Sequence, residues 1–284
     1  MRSVQNKLPA VAWSGVVAFS ILGFGQGIWG ILLVSNLKAS PAIPWACPVM
    51  ALVLWLMWRY LGGSWWPHST AASRRGYLRA NPVSRRIFLW TMLSGLLSIG
   101  ALAGYWIVLS YLTKMPPNAV PDMSPYPILT GVVMVMTASL VSPVTEESAF
   151  RGYCQVILER EFAAPTAIAI SSVLFALAHI THGLLWPKLL VYFLVGIVFG
   201  AQAYLAKSII PVIPVHIVGD LTFFMLVWPH DTARRVTGDS AADKWFWVHV
   251  VQSIVLTVLA VLAFNGLVRA TQANGSRRTV AGPS

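Results

Sequence analysis

Eight apolar runs, at about residues 11–35, 42–61, 87–112, 126–158, 164–184, 188–207, 209–228 and 245–268, fill most of this 284-residue sequence. A helix rises 1.5 Å per residue, so about 20 apolar residues cross the hydrocarbon core of a bilayer. Runs of this length predict an all-α, polytopic membrane protein with about eight transmembrane helices. Composition agrees: 57% of residues are hydrophobic and only 10% charged, against about 25% charged in a soluble domain. The first run is too long for the apolar region of a cleaved signal peptide and is read as a retained helix.

The net charge of +11 raises the question of nucleic acid. The basic residues, however, sit in short loops between apolar runs, where retention on the cytoplasmic side accounts for them. No nucleic-acid partner is expected. Placing the N-terminus in the cytoplasm puts thirteen Lys and Arg residues on that side and six, among them Lys114, Lys188, Arg234 and Arg235, on the other. Both termini are therefore expected inside. Residues 62–86, with a Trp pair and five arginines, read as a basic cytoplasmic loop lying against anionic headgroups or docking a substrate. Three regions follow: 1–125 with three helices and this loop, 126–228 with four helices, and 229–284 with the last helix and a polar tail, expected to fray from Thr271 onward.

Ionisable residues inside a span cost several kcal/mol unless paired or hydrated, so each is a functional candidate. The fourth run carries Glu146, Glu147 and Arg151 in the stretch TEESAFRGY; the fifth carries His179 and His182; the seventh carries His216 and Asp220. Glu147 and Arg151 are four apart, stacked on one helix face as an acid–base pair. Glu146 points about 100° away, leaving it without a partner on its own helix. Phe175 precedes His179 by one turn. Pro211 and Pro214 precede His216, where bent backbone would expose carbonyls to a cavity. An Asp220 that accepts from His216 would fix the imidazole tautomer.

Acids and imidazoles from three helices form a constellation for activating water, with Glu146 as general base, a histidine as partner and further donors for an oxyanion. The same residues, Glu146, His179 and His216, would serve as three ligands to a divalent metal such as zinc, with water in the open position. H-E-x-x-H and G-x-S-x-G are both absent, which removes the zincin and serine-hydrolase arrangements. Cys47 and Cys154 fall within apolar runs and read as small packed hydrophobes. GIVFG, residues 196–200, offers a small-xxx-small face for close helix packing. His68, His182, His230 and His249 read as interfacial or loop residues outside the constellation.

The motifs E-E-x-x-x-R (Glu146, Glu147, Arg151), F-x-x-x-H (Phe175, His179) and H-x-x-x-N/D (His216, Asp220) resemble those of the CPBP intramembrane endopeptidases. That family, also called Abi, contains the CAAX prenyl proteases and bacteriocin-processing enzymes. The resemblance covers about residues 130–228. It implies that Glu146 with His179 activates the attacking water, that His216 with residue 220 stabilises the oxyanion, and that Glu147 and Arg151 are a supporting pair. Asp220 departs from the Asn found in family members, because a carboxylate donates a hydrogen bond only when protonated. A multi-pass protein of a bacterial plasma membrane is expected, with a peptide or lipidated-protein substrate and membrane lipids as partners; no cofactor is expected, with a divalent metal such as zinc as the alternative. The rival class is a proton-coupled transporter or an inactive membrane scaffold, in which the same residues pass protons or hold helices together.

Overall fold

A computed structural model describes residues 8–113, 123, 125–180, 184–229 and 243–280. Lys114, Arg234, Arg235, His182 and His230 lie outside them. In chain order the elements are α1 (Leu8–Ala39), α2 (Ala46–Leu61), α3 (Ala71–Leu78), α4 (Arg85–Leu112), α5 (Ile128–Glu146), a π-helical segment (Glu147–Cys154) and α6 (Gln155–Glu159). They continue with α7 (Ala164–Ala178), α8 (Trp186–Ala206), α9 (Val212–Thr222), a second π segment (Phe223–Val227) and α10 (Lys244–Val280). No strand occurs among the described residues.

Among the described residues, five helices are long and apolar enough to cross a membrane: residues 9–39, 85–112, 128–159, 186–206 and 244–273. Ala46–Leu61, Ala164–Ala178 and Val212–Val227 are apolar but shorter. The expected run of 164–184 is cut because α7 ends at Ala178, with the His179 amide donating to the Ala176 carbonyl at 3.1 Å. Pro211 and Pro214 do not bend a helix interior. They start α9, where amide groups have no intrahelical acceptor and proline is tolerated. Beyond Thr271 the chain continues as helix to Val280; no proline intervenes before Pro283, and extending a formed helix needs no new nucleus.

Large apolar side chains cover the outside, including Ile31, Ile128, Leu129, Val258 and Leu262, as a hydrocarbon solvent permits. Inside, Trp106 of α4, Phe150 of the first π segment, Phe175 of α7 and Tyr192 of α8 share one core. Leu78, Tyr153, Phe199, Ile209 and Val215 share a second. The 196–200 face performs the expected close packing. A β-carbon on Gly196 would sit 2.7 Å from that of Ser172 on α7, and one on Gly200 would sit 3.0 Å from Ile168.

The loop of residues 62–86 is a folded element rather than a strip of free arginines. Arg74 is buried, donating to the Trp65 and Pro67 carbonyls at 2.5 and 2.8 Å. Arg75 donates to the Gly63 carbonyl at 3.0 Å, and Arg79 pairs with Glu159 of α6. Hydrogen bonds to backbone carbonyls then tie the loop to the turn before α9: the Ile209 amide donates to the Arg79 carbonyl at 3.1 Å and the Ser208 hydroxyl to the Asn81 carbonyl at 2.6 Å. Arg85 and Arg86 remain exposed. Lys188, counted among the loop residues, is instead fully buried, with Nζ 5.8 Å from the Trp106 ring.

Candidate active site

The site begins where α5 changes its winding. Pro143 lies inside α5 and has no N–H for the i→i−4 ladder. Immediately after Glu146 the backbone widens into the π segment, whose eight residues are all buried. Such local widening is frequent at functional sites. Here α3 braces it: a β-carbon on Gly152 would sit 3.1 Å from the Leu78 carbonyl oxygen and 3.3 Å from that of Tyr77. Tyr153 donates to the Leu61 carbonyl at 2.8 Å and stacks on Tyr77 with ring centroids 5.5 Å apart.

Two adjacent carboxylates leave this bend towards different partners. Glu147, fully buried, meets Arg151 at 3.2 Å and His216 Nδ1 at 2.8 Å through the same oxygen, Oε1. The Arg151 guanidinium lies over the Phe175 ring, 4.1 Å from its centroid, and 5.4 Å from that of Phe199. A buried guanidinium is thus neutralised by one acid and sandwiched by aromatic faces, which offsets part of its desolvation cost.

Glu146 Oε1 accepts from Gln26 Nε2 of α1 at 2.8 Å and from the Ser142 hydroxyl at 2.9 Å. The expectation that its own helix offers Glu146 no partner is therefore corrected. Ser142 precedes it by four residues, one turn along the same face. Oε1 is also 3.9 Å from His179 Nε2, and Oε2 is 3.7 Å from His216 Nε2. Among the described residues Oε2 is buried without a hydrogen-bond partner.

His179 caps α7 at φ −94° and ψ 8°, the sparsely allowed bridge region where active-site residues recur. Its Nδ1 is 2.8 Å from the Phe175 carbonyl oxygen. A carbonyl only accepts, so Nδ1 carries the proton, and in the neutral ring Nε2 presents its lone pair towards Glu146. This gives F-x-x-x-H a physical meaning: Phe175 orients His179 with its backbone while its ring carries Arg151. Tyr192 of α8 stacks on the imidazole, with centroids 4.0 Å apart.

Asp220 Oδ1 lies 3.4 Å from His216 Nε2, and among the described residues its buried Oδ2 has no hydrogen-bond partner. Asp220 and Glu146 thus face one nitrogen, His216 Nε2. Glu146, Glu147, Arg151, Phe175, His179, His216 and Asp220 are all brought together. His68 is exposed on the folded loop, and His249 pairs with Gln252 at 2.9 Å on α10. Cys154 is buried and Cys47 partly buried, both free thiols. Among the described residues no group of three or more His, Cys, Asp or Glu side chains is arranged to hold a metal ion.

A cavity of about 290 Å³ opens beside these groups. Glu146, His179, His216 and Asp220 line its polar end; Trp29 and Leu33 of α1 and Met134 and Ala138 of α5 are among its apolar walls. Residues 128–222, α5 through α9, match the family model described as Rce1-like, type II CAAX prenyl endopeptidase. This segment is an Rce1-like domain. The match supports the resemblance of the chain's motifs to those of the CPBP intramembrane endopeptidases. The match leaves α1–α4 and α10 outside. Comparison with curated proteins and with solved structures gave no match.

Proposed function

We propose that the chain is an intramembrane endopeptidase that hydrolyses a peptide bond of a membrane-delivered substrate, either prenylated and of CAAX type or leader-bearing, with water activated by Glu146 and His179. One observation carries the reading. The Glu146 carboxylate and the lone-pair nitrogen of His179 face each other at 3.9 Å, both as acceptors. A water held against both has two O–H bonds to donate, one to His179 Nε2 and one to Oε2, the Glu146 oxygen buried without a hydrogen-bond partner among the described residues, and it turns a lone pair towards the substrate.

In the reaction the water oxygen bonds to the scissile carbonyl carbon while one water proton passes to Glu146. The carbonyl electrons move onto oxygen, and this oxyanion is stabilised by His216 with Asp220. With Nδ1–H donated to Glu147, His216 donates from Nε2 only when it carries both protons. Collapse re-forms the carbonyl, breaks the C–N bond and returns the proton from Glu146 to the leaving nitrogen. The apolar walls of the cavity suit an apolar segment or a lipid-modified residue beside the scissile bond. In this reading the three shorter helices join the five long ones as membrane elements, with both termini cytoplasmic in a bacterial plasma membrane, and catalysis proceeds without a metal.

The test uses purified full-length protein in liposomes and an internally quenched, farnesylated CAAX-type peptide, alongside proteome-wide mass spectrometry of membranes from cells expressing active or Glu146→Gln protein. Cleavage products present only with the active protein are expected. Peptide-independent proton flux across the liposome membrane without cleavage would support the transporter reading instead.

A further inference from the structure

The Rce1-like match begins at residue 128, yet the shortest contact to the Glu146 carboxylate comes from α1. Gln26 Nε2 donates to Oε1 at 2.8 Å across 120 residues of sequence, and the Ser142 hydroxyl reaches the same oxygen at 2.9 Å. Leu22, Gln26, Trp29 and Leu33 all line the catalytic cavity from α1. Their spacing of four, three and four residues puts them on one helix face. Close approach of α1 is built in: a β-carbon on Gly25 would collide with the Thr145 side chain, one residue before Glu146.

We infer that Gln26 is a positioning residue that selects which oxygen of Glu146 acts as the base. A carboxylate oxygen has two lone pairs in its plane. On Oε1 both are engaged, by an amide from α1 and a hydroxyl from α5. Oε2 is left as the oxygen without a hydrogen-bond partner among the described residues, and it faces His216 Nε2 at 3.7 Å. The proton taken from water therefore goes to Oε2. Gln26 also stops rotation about the terminal torsion of Glu146, which is broad and soft in an unrestrained glutamate. The first helix, outside the family-like segment, thereby becomes part of the catalytic apparatus and not only its wall.

This inference rests on the proposed role of Glu146, and the experiment separates the two. Full-length Gln26→Met, Gln26→Asn, Glu146→Gln and Glu146→Asp proteins, and the Gln26→Met/Glu146→Asp double variant, are assayed with the farnesylated quenched peptide. Methionine keeps the volume of glutamine without its amide; asparagine keeps an amide one methylene short. Either Gln26 variant is expected to lose about 10- to 100-fold in kcat, with KM within about twofold and an unchanged thermal transition. In the Glu146→Asp background, where the carboxylate is drawn back from α1, the same Gln26→Met change is expected to cost less than about threefold. Equal losses in both backgrounds, a loss in KM alone, or a kcat within about twofold of the parent for the folded Gln26 variants would overturn the inference. Wild-type kcat in Glu146→Gln would overturn the base assignment itself. An inactive Glu146→Gln beside fully active Gln26 variants would remove Gln26 alone.

Discussion

His216 Nδ1 and Glu147 Oε1 are 2.8 Å apart, so the acid that neutralises Arg151 also fixes the imidazole on α9. The pair joins what the sequence reads as two separate motifs. Glu147→Gln keeps the shape but leaves an amide oxygen opposite Nδ1 and removes the charge facing Arg151. A loss of about 10- to 100-fold in kcat is expected, together with a lower thermal transition, measured on the same preparation. A variant with normal kcat would detach Glu147 from the orientation of His216.

Arg151→Ala should act mainly on stability. It strips the fully buried Glu147 of its cation and empties the space against the Phe175 and Phe199 rings. Breaking a buried pair from one side costs about 3–5 kcal/mol. Thermal denaturation in detergent is expected to show the loss. Arg151→Lys should recover only part of it, because an ammonium cannot combine the planar stacking with the acid contact.

Gly152→Ala tests the brace between α3 and the π segment. The added methyl would meet two backbone carbonyls at 3.1 and 3.3 Å, neither of which can swing aside like a side chain. A destabilisation of about 1–3 kcal/mol is expected, read as a lower melting temperature. An unchanged melt would mean that α3 is not held against this segment.

Asp220 is best tested by contrast. Asp220→Asn retains an acceptor oxygen opposite His216 Nε2, 3.4 Å away in the parent, and adds an amide donor. It is expected to keep kcat within about tenfold, whereas Asp220→Leu should lose about 100-fold. If asparagine proves as damaging as leucine, the negative charge itself is required.

Dialysis of the purified protein against a strong chelator, with elemental analysis before and after, addresses the metal-free proposal. Activity within about twofold of the untreated protein, and substoichiometric metal throughout, are expected. A stoichiometric metal whose removal abolishes cleavage would replace the water-activation scheme with a metal-assisted one.

Much of this site is visible in the sequence because charged and imidazole side chains inside apolar runs are costly and so draw notice. The Glu147–Arg151 spacing, the His216–Asp220 spacing and the Gly196–Gly200 face all translate directly into contacts. Gln26 and Ser142 escaped because neither is ionisable: a glutamine in a long apolar helix gives no signal of what it faces 120 residues away. The double duty of Glu147 was hidden for a related reason. Helical spacing reports neighbours on one helix, while the contact to His216 depends on how the first π segment and α9 are placed against each other. The π winding after Glu146 and the early end of α7 at His179 are tertiary effects, in which local propensity is overridden by packing. The folded loop of residues 62–86 was obscured by its arginines, which read as headgroup ligands until Arg74 and Arg79 are seen donating to carbonyls and to Glu159.

The decisive measurement is single-turnover cleavage of the farnesylated quenched peptide by the full-length protein and by Glu146→Gln, with thermal denaturation of both. Glutamine preserves the size of the side chain and an acceptor oxygen for Gln26 and Ser142 to address, but it cannot take up the proton of the attacking water. Loss of cleavage by about 1,000-fold or more in a protein that melts like the parent is the expected result. Cleavage by Glu146→Gln within about tenfold of the parent would contradict activation of water by Glu146 and His179.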